Sequence, residues 1–252
     1  MNPKLNRTLV LAAIMPFFCF LTIDNNKSNQ ELAAVYATDF EKGADEWKFV
    51  DEGWKVKESG SSKVLSQHIK KSNYEPKVRS PRHIALLKGK TVTDFQLDVR
   101  VLSTHKDYNH RDACLFFGYQ SPTQFYYVHL GKKTDPHANQ IFIVNNADRT
   151  KISLTTTAGT DWDDQWHNVR ITRNVTTGEI RVFYDDMSKP VMTAVDKTFA
   201  WGQVGLGSFD DTADWDEFVL MGTAHQPTGN IKEVNKTEQE TTRLKTELDK
   251  SH

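Results

Sequence analysis

The stretch that decides the fold runs from Arg111 to Gly131, RDACLFFGYQSPTQFYYVHLG. Two strand-like runs, 111–120 and 125–131, flank Ser121-Pro122-Thr123-Gln124, a tetrapeptide of turn formers. Pairing about the Pro122–Thr123 bond sets Phe116 opposite His129 and Gly118 opposite Tyr127. Leu115, Phe117 and Tyr119 then share one face with Tyr126, Val128 and Leu130. Such a register is strongly specified, because a slip of one residue would mix the faces. The opposite face carries Asp112, Cys114, Phe116, Tyr127 and His129, a polar and aromatic mixture foreign to a plain solvated sheet.

The same period of two extends outward from this hairpin. Phe95, Leu97, Val99 and Val101 alternate with Asp94, Gln96, Asp98 and Arg100, as a strand with one buried face requires. A further hairpin spans Trp166 to Asp185, with Val169 and Ile171 outbound, a turn over 174–178, and Ile180, Val182 and Tyr184 returning. No segment carries a helical stripe. Many short strands separated by turn residues predict an all-β fold, a two-sheet antiparallel jelly-roll sandwich.

The chain of 252 residues has room for one such sandwich of about 200 residues plus tails. The sandwich is expected over 38–221, opening at Thr38-Asp39-Phe40-Glu41. A polar linker, 24–37, precedes it. A tail over 222–252, rich in Lys, Glu, Thr and Asn, is too poor in apolar residues to fold alone. Residues 1–23 read as an export signal: Lys4 and Arg7 precede an apolar run, Leu9 to Ile23, broken by Pro16 and Thr22. The run is short for a span of about 20 residues, so the expected location is periplasmic or extracellular. An uncleaved N-terminal anchor is the alternative and the one membrane association foreseen. The net charge of -1, with 32 basic and 33 acidic residues, gives no reason to expect nucleic acid. Cys19 lies in the apolar run and Cys114 in a strand, which provides neither a disulfide framework nor zinc spacing. The oligomeric state is not legible.

A family resemblance rests on Asp39-Phe40-Glu41, Trp47, Gly53-Trp54-Lys55-Val56, Thr93-Asp94-Phe95-Gln96-Leu97, Trp166-His167-Asn168-Val169-Arg170-Ile171, Gly205-Leu206-Gly207 and Trp215-Asp216-Glu217-Phe218-Val219-Leu220. With these the chain resembles the concanavalin A-like lectin/glucanase superfamily. Within it the chain is most similar to the bacterial 3-keto-glycoside hydrolase/lyase-type domain, itself like the family-16 glycosidases. The resemblance covers about Asp39 to Leu220 and identifies architecture better than chemistry. It implies a carbohydrate ligand, an oligo- or polysaccharide, lying across a concave sheet face between loops. It implies no cofactor beyond a structural Ca²⁺, which many relatives hold between first and last strands, where Glu41 and Asp216 lie here. The chain departs from the pattern in two places. It lacks the Glu-x-Asp-x-x-Glu strand of the glucanases, its acidic Asp161-Trp162-Asp163-Asp164 falling in a turn. Arg111-Asp112-Ala113 stands where the keto-glycoside family tends to have Asn-Ser-Gly. The family's catalytic residues are therefore not carried over.

Unusual polarity concentrates between His105 and Arg149, which includes four of the nine histidines. His129 is the leading acid/base candidate, since imidazole titrates near neutrality. His129 or Tyr127 would remove a proton from a sugar carbon beside a carbonyl, with Arg111 or Gln140 steadying the negative charge. Tyr127 or Phe116 would stack on a pyranose, and Asp112, Asn139, Gln140 and Asn145 would bond its hydroxyls. His137, in the loop after Pro136, would close over the ligand. The structural alternatives are a loop-bonded His129 and a plain Asp-Pro turn at His137. The preferred function is cleavage of a glycosidic bond by hydrolysis or elimination. The alternative is a non-catalytic carbohydrate-binding module, lectin-like or laminin G-like.

Overall fold

The computed structural model describes residues 32–226, so the signal-like segment and almost all of the tail lie outside the described residues. These form sixteen strands and no helix. In order they are β1 (Ala33–Thr38), β2 (Trp47–Phe49), β3 (Trp54–Ser59), β4 (Ser62–Gln67), β5 (His83–Leu87) and β6 (Val92–Ser103). β7 (Asp112–Ser121), β8 (Gln124–Gly131), β9 (Gln140–Asn145), β10 (Thr150–Lys151) and β11 (Ser153–Thr155) follow. β12 (His167–Arg173), β13 (Glu179–Tyr184), β14 (Met192–Val195), β15 (Gln203–Ser208) and β16 (Ala213–Ala224) complete the set.

The strands make two antiparallel sheets, in agreement with the all-β sandwich expected. The first has nine strands in the order β11-β14-β13-β12-β6-β16-β4-β3, with β1 also on β16. The second has seven, β10-β9-β8-β7-β15-β5-β2. Leu97, Val99, Val101, Ile171, Val182, Trp215 and Leu220 of the first sheet pack against Leu115, Phe117, Tyr126, Val128, Leu130, Ile141 and Leu206 of the second. The alternation read in β6 and in the β12–β13 hairpin is thus the inward face of the first sheet, with Val169 across from Tyr184 and Ile171 from Val182.

Three expectations are corrected. The end of the stretch read as linker, 33–37, forms with Thr38 the strand β1, whose Val35 and Tyr36 pack on the core and whose Tyr36 pairs with Leu220. β16 likewise runs to Ala224, past the boundary set at 221. The third correction is register. Ser121 faces Gln124 as expected, but farther along Cys114 faces His129 and Phe116 faces Tyr127, a shift of two residues between Phe117 and Ser121. Gly118, at φ 56°, absorbs the irregularity; a non-glycine residue adopts that conformation only with strain. An even shift preserves the faces except inside the bulge. There Tyr119 turns outward and stacks on Phe125 at 5.1 Å, instead of joining Leu115 and Phe117 in the core.

Candidate functional site

The outer face of the second sheet gathers the residues singled out in the hairpin. Cys114, Phe116, Tyr119, Phe125 and Tyr127 from β7 and β8 join Ile84 and Leu86 of β5 and Phe142 and Val144 of β9 in a second apolar cluster. Tyr127 stacks on Phe142 at 5.1 Å and tilts against Phe116 at 6.0 Å. Its hydroxyl accepts from Arg149 Nη1 at 2.9 Å. That guanidinium lies between the rings of Phe142, at 4.8 Å, and Phe209, at 4.4 Å. Burial pushes the Tyr127 phenol well up. Asp112 and His129 stand at one end of this floor. His129 Nε2 meets Asp112 Oδ2 at 3.0 Å, and Nδ1 meets the His137 carbonyl at 3.1 Å. Burial drives the Asp112 carboxyl upward, but the charge and hydrogen bond of His129, the Phe209 amide and the Cys114 thiol hold it below the ordinary range.

A strap closes the floor. Residues 72–80, between β4 and β5, alternate in burial, with Tyr74, Pro76 and Val78 turned in and Asn73, Glu75, Lys77 and Arg79 exposed. Tyr74 and Val78 pack on the aromatic cluster, and burial raises the Tyr74 phenol. At one end Ser72 Oγ donates to the Arg82 carbonyl at 2.8 Å. At the other, Arg79 N donates to Asp148 Oδ1 at 2.8 Å and Arg149 N to the Arg79 carbonyl at 3.1 Å. In the cluster it covers, Phe116 and Tyr127 expose 0% of their surface; His129, set against Phe142 and Phe209, exposes 5%. This corrects the expected roles of Phe116 and Tyr127, since a covered ring offers no face to a sugar.

The other predicted residues disperse. Arg111 is buried toward the first sheet, donating to Ser103 Oγ at 2.7 Å and Asp164 Oδ1 at 2.6 Å, and does not join His129. Gln140 pairs with His129 in register, but its amide is spent on the Asp135 carbonyl at 3.1 Å. His137 is exposed in the β8–β9 loop, its amide on Asp135 Oδ1 at 2.6 Å. Asn145 is exposed at the far end of β9, opposite Gln124. Glu41 Oε1 accepts the Lys63 amide at 2.7 Å, and Asp216 Oδ1 that of Glu217 at 2.7 Å. Among the described residues, neither Glu41 nor Asp216 belongs to a group of three ligating side chains.

Asn139 has a different task. Buried and at φ 53°, it donates to Thr134 Oγ1 at 2.7 Å and Thr156 Oγ1 at 3.1 Å and accepts from Thr160 Oγ1 at 3.0 Å. It thereby pins the 156–160 loop, where a Cβ on Gly159 would collide with the Lys132 carbonyl. The pinned loop walls an open depression of about 500 Å³ at the rim, completed by Lys132, Asp161, Tyr184 and Val191. Tyr184 is braced by His167, stacked at 4.7 Å, and by Trp162, edge-on at 5.8 Å. His167 is itself held between Asp185 at 2.8 Å and Asp163 at 2.9 Å, which gives the acidic turn a structural purpose. The sequence signal for this rim was Thr155-Thr156-Thr157-Ala158-Gly159-Thr160, a hydroxyl-rich stretch before that turn.

Among solved structures the chain is similar to a protein of unknown function with a galectin-like fold from Bacillus subtilis, at TM-score 0.51 and 12% identity, covering 78% of this chain and 99% of that one. It is also similar to the GH43 protein BlXynB from Bacillus licheniformis, at TM-score 0.50 and 13% identity, over 74% of this chain and 39% of that one. A carbohydrate binding module, CBM66 from Bacillus subtilis, aligns at TM-score 0.49 and 19% identity, over 70% and 96%. No protein-family model matches the sequence, and no curated protein matches it. The chain is a two-sheet antiparallel β-sandwich, a jelly-roll fold like that of the galectin-like protein.

Proposed function

We propose that this is an exported, non-catalytic carbohydrate-binding domain that takes its saccharide in the rim depression beside Tyr184. One observation carries the choice of binding over cleavage: the proton-transfer pair is closed off. Both nitrogens of His129 face acceptors, the Tyr127 hydroxyl is held by Arg149, and both side chains are buried. A general base must come within about 3 Å of the proton it removes, and neither group reaches a surface where a sugar could lie. The sequence likeness to the 3-keto-glycoside hydrolase/lyase-type domain is therefore taken as one of scaffold. The rim offers what an amphipathic sugar needs: the Tyr184 ring, the Thr157 hydroxyl, the Asp161 carboxylate and the Lys132 ammonium. Fold alone assigns no chemistry, so the reading stands on this site.

The test is calorimetric titration and affinity electrophoresis against a panel of oligo- and polysaccharides, with reducing ends and ultraviolet absorbance followed in parallel. Binding without product is expected, accompanied by a change in Trp162 fluorescence. Ala158→Arg, which fills the depression from an exposed position, should abolish binding without lowering Tm. Release of reducing ends or unsaturated product, or binding that survives Ala158→Arg, would overturn the proposal.

A further inference from the structure

We propose that Asp112, Asp210 and Asp211 form a binding site for one calcium ion, between the start of β7 and the β15–β16 turn. Each of the three can present a carboxylate oxygen within 4.8 Å of the other two. Asp112 is wholly buried. Its Oδ2 accepts from His129 and from the Phe209 amide at 2.8 Å, but its Oδ1 is buried with no partner at all. An acceptor stripped of water and given nothing in return is a costly arrangement that native folds avoid. Oδ1 is the oxygen left over for the cluster.

Asp211 is also buried, accepting from the Asp112 amide at 2.9 Å and from the Tyr108 hydroxyl at 2.8 Å, with lone pairs to spare. Asp210 is exposed and gives an ion its way in. Basic groups stand on both sides, His129 Nε2 at 3.0 Å from Asp112 Oδ2 and His105 Nε2 at 3.4 Å from Asp211 Oδ1, with Lys70 Nζ 3.4 Å from the latter imidazole. No donor reaches Asp112 Oδ1. Three carboxylates converge here within 4.8 Å, two of them buried. A divalent cation would satisfy the orphan oxygen and the excess charge together. Three hard oxygen donors in an irregular cluster suit Ca²⁺, which tolerates variable geometry, better than Mg²⁺. A second group, Asp112, Cys114 and His129, shares the same carboxylate. Its thiol and imidazole already meet Asp112 Oδ2, at 3.4 and 3.0 Å, and leave Oδ1 without a partner.

The experiment uses the full chain stripped with a chelator. Tb³⁺ should bind with luminescence sensitised through Tyr108, Ca²⁺ should displace it, and millimolar Ca²⁺ should raise Tm by several degrees. Asp210→Ala should weaken Ca²⁺ at least tenfold and leave the ion-free Tm unchanged; Asp211→Asn, which keeps the shape of the turn, should weaken it likewise. No luminescence and no Tm shift would overturn the site. So would an affinity indifferent to Asp210→Ala, whether lost instead through Asp216→Asn or replaced by tighter Zn²⁺ binding.

Discussion

Replacing Arg149 with Ala removes the one hydrogen-bond partner of a buried phenol. The Tyr127 hydroxyl would be left without its donor, a loss of about 1–3 kcal/mol. The two ring contacts, at 4.8 and 4.4 Å, add about 1–2 kcal/mol together, since the side chain is half-buried rather than fully desolvated. Against this, Arg149 Nε is buried with no acceptor, so deleting it relieves about 1 kcal/mol. The balance is a destabilisation of about 1–4 kcal/mol, or roughly 2–16 °C in Tm for a domain of this size. The strap's backbone bond from Arg149 N to the Arg79 carbonyl survives the change, so the loss reports the guanidinium itself. Urea denaturation of the wild type, Arg149→Ala, Tyr127→Phe and the double variant measures the coupling directly. The cycle should yield about 1 kcal/mol or more of interaction. A single-variant loss under about 0.5 kcal/mol, or additive losses in the cycle, would refute the placement of this side chain over the aromatic floor.

Two further outcomes follow from buried and strained groups. Asp51 accepts from Gly53 N, Trp54 Nε1, Ile84 N and His83 Nδ1 at 2.8–3.1 Å. Burial would raise its carboxyl, but the bonds from His83, Gly53 and Ile84 hold it below 3.8. Its folded pKa is depressed, so the stability it contributes is present above about pH 4 and is lost as pH falls through the folded value. Asp51→Asn should therefore cost about 2–3 kcal/mol at pH 7 and progressively less toward pH 2 in denaturant titrations, and a difference constant with pH would contradict this. Gly118→Ala places a Cβ at φ 56° and 3.0 Å from Tyr126 Cδ2, and should cost about 1–2 kcal/mol, read as a lower Tm; an unchanged Tm would mean that the bulge lies elsewhere.

Period-two alternation made the strands legible because one face of β6, β12 and β13 packs on the core. The faces of the β7–β8 hairpin were legible for the same reason. Its register was not, because pairing counted from the turn has no means of seeing that Gly118 absorbs two extra residues. Strand alternation puts Asp112, Tyr127 and His129 side by side, as they are, but carries no sign of their burial. A sheet face bearing Cys114, Phe116, Phe125, Tyr127 and Phe142 is an interior, and the chain must supply its cover. That cover was written in Tyr74-Glu75-Pro76-Lys77-Val78-Arg79, apolar and charged by turns, but Pro76 argues against a paired strand and the segment joins no sheet. Asn139 was chosen for hydrogen-bonding capacity and has it, spent on the chain's own threonines. Asp210-Asp211 carried no signal, since adjacent acids in a turn are ordinary until a third carboxylate arrives from β7.

Under the proposed function, the strap also bears on which of two surfaces would take a sugar. For a ligand to reach the aromatic floor, Tyr74 and Val78 must leave it and the strap's end bonds must break. Two half-buried side chains are worth about 2–3 kcal/mol together, and two or three hydrogen bonds about 1–3 kcal/mol more. A floor open only to that extent is populated about once in a few hundred to a few tens of thousands of molecules, and the affinity of anything binding there falls by the same factor. The rim carries no such penalty. Its loop is already set by Asn139 and the Gly159–Lys132 contact, and its aromatic wall is already braced by His167 and Trp162. Two sites of comparable contact chemistry would thus differ by several kcal/mol in favour of the preorganised one, which is the physical reason for placing the saccharide beside Tyr184.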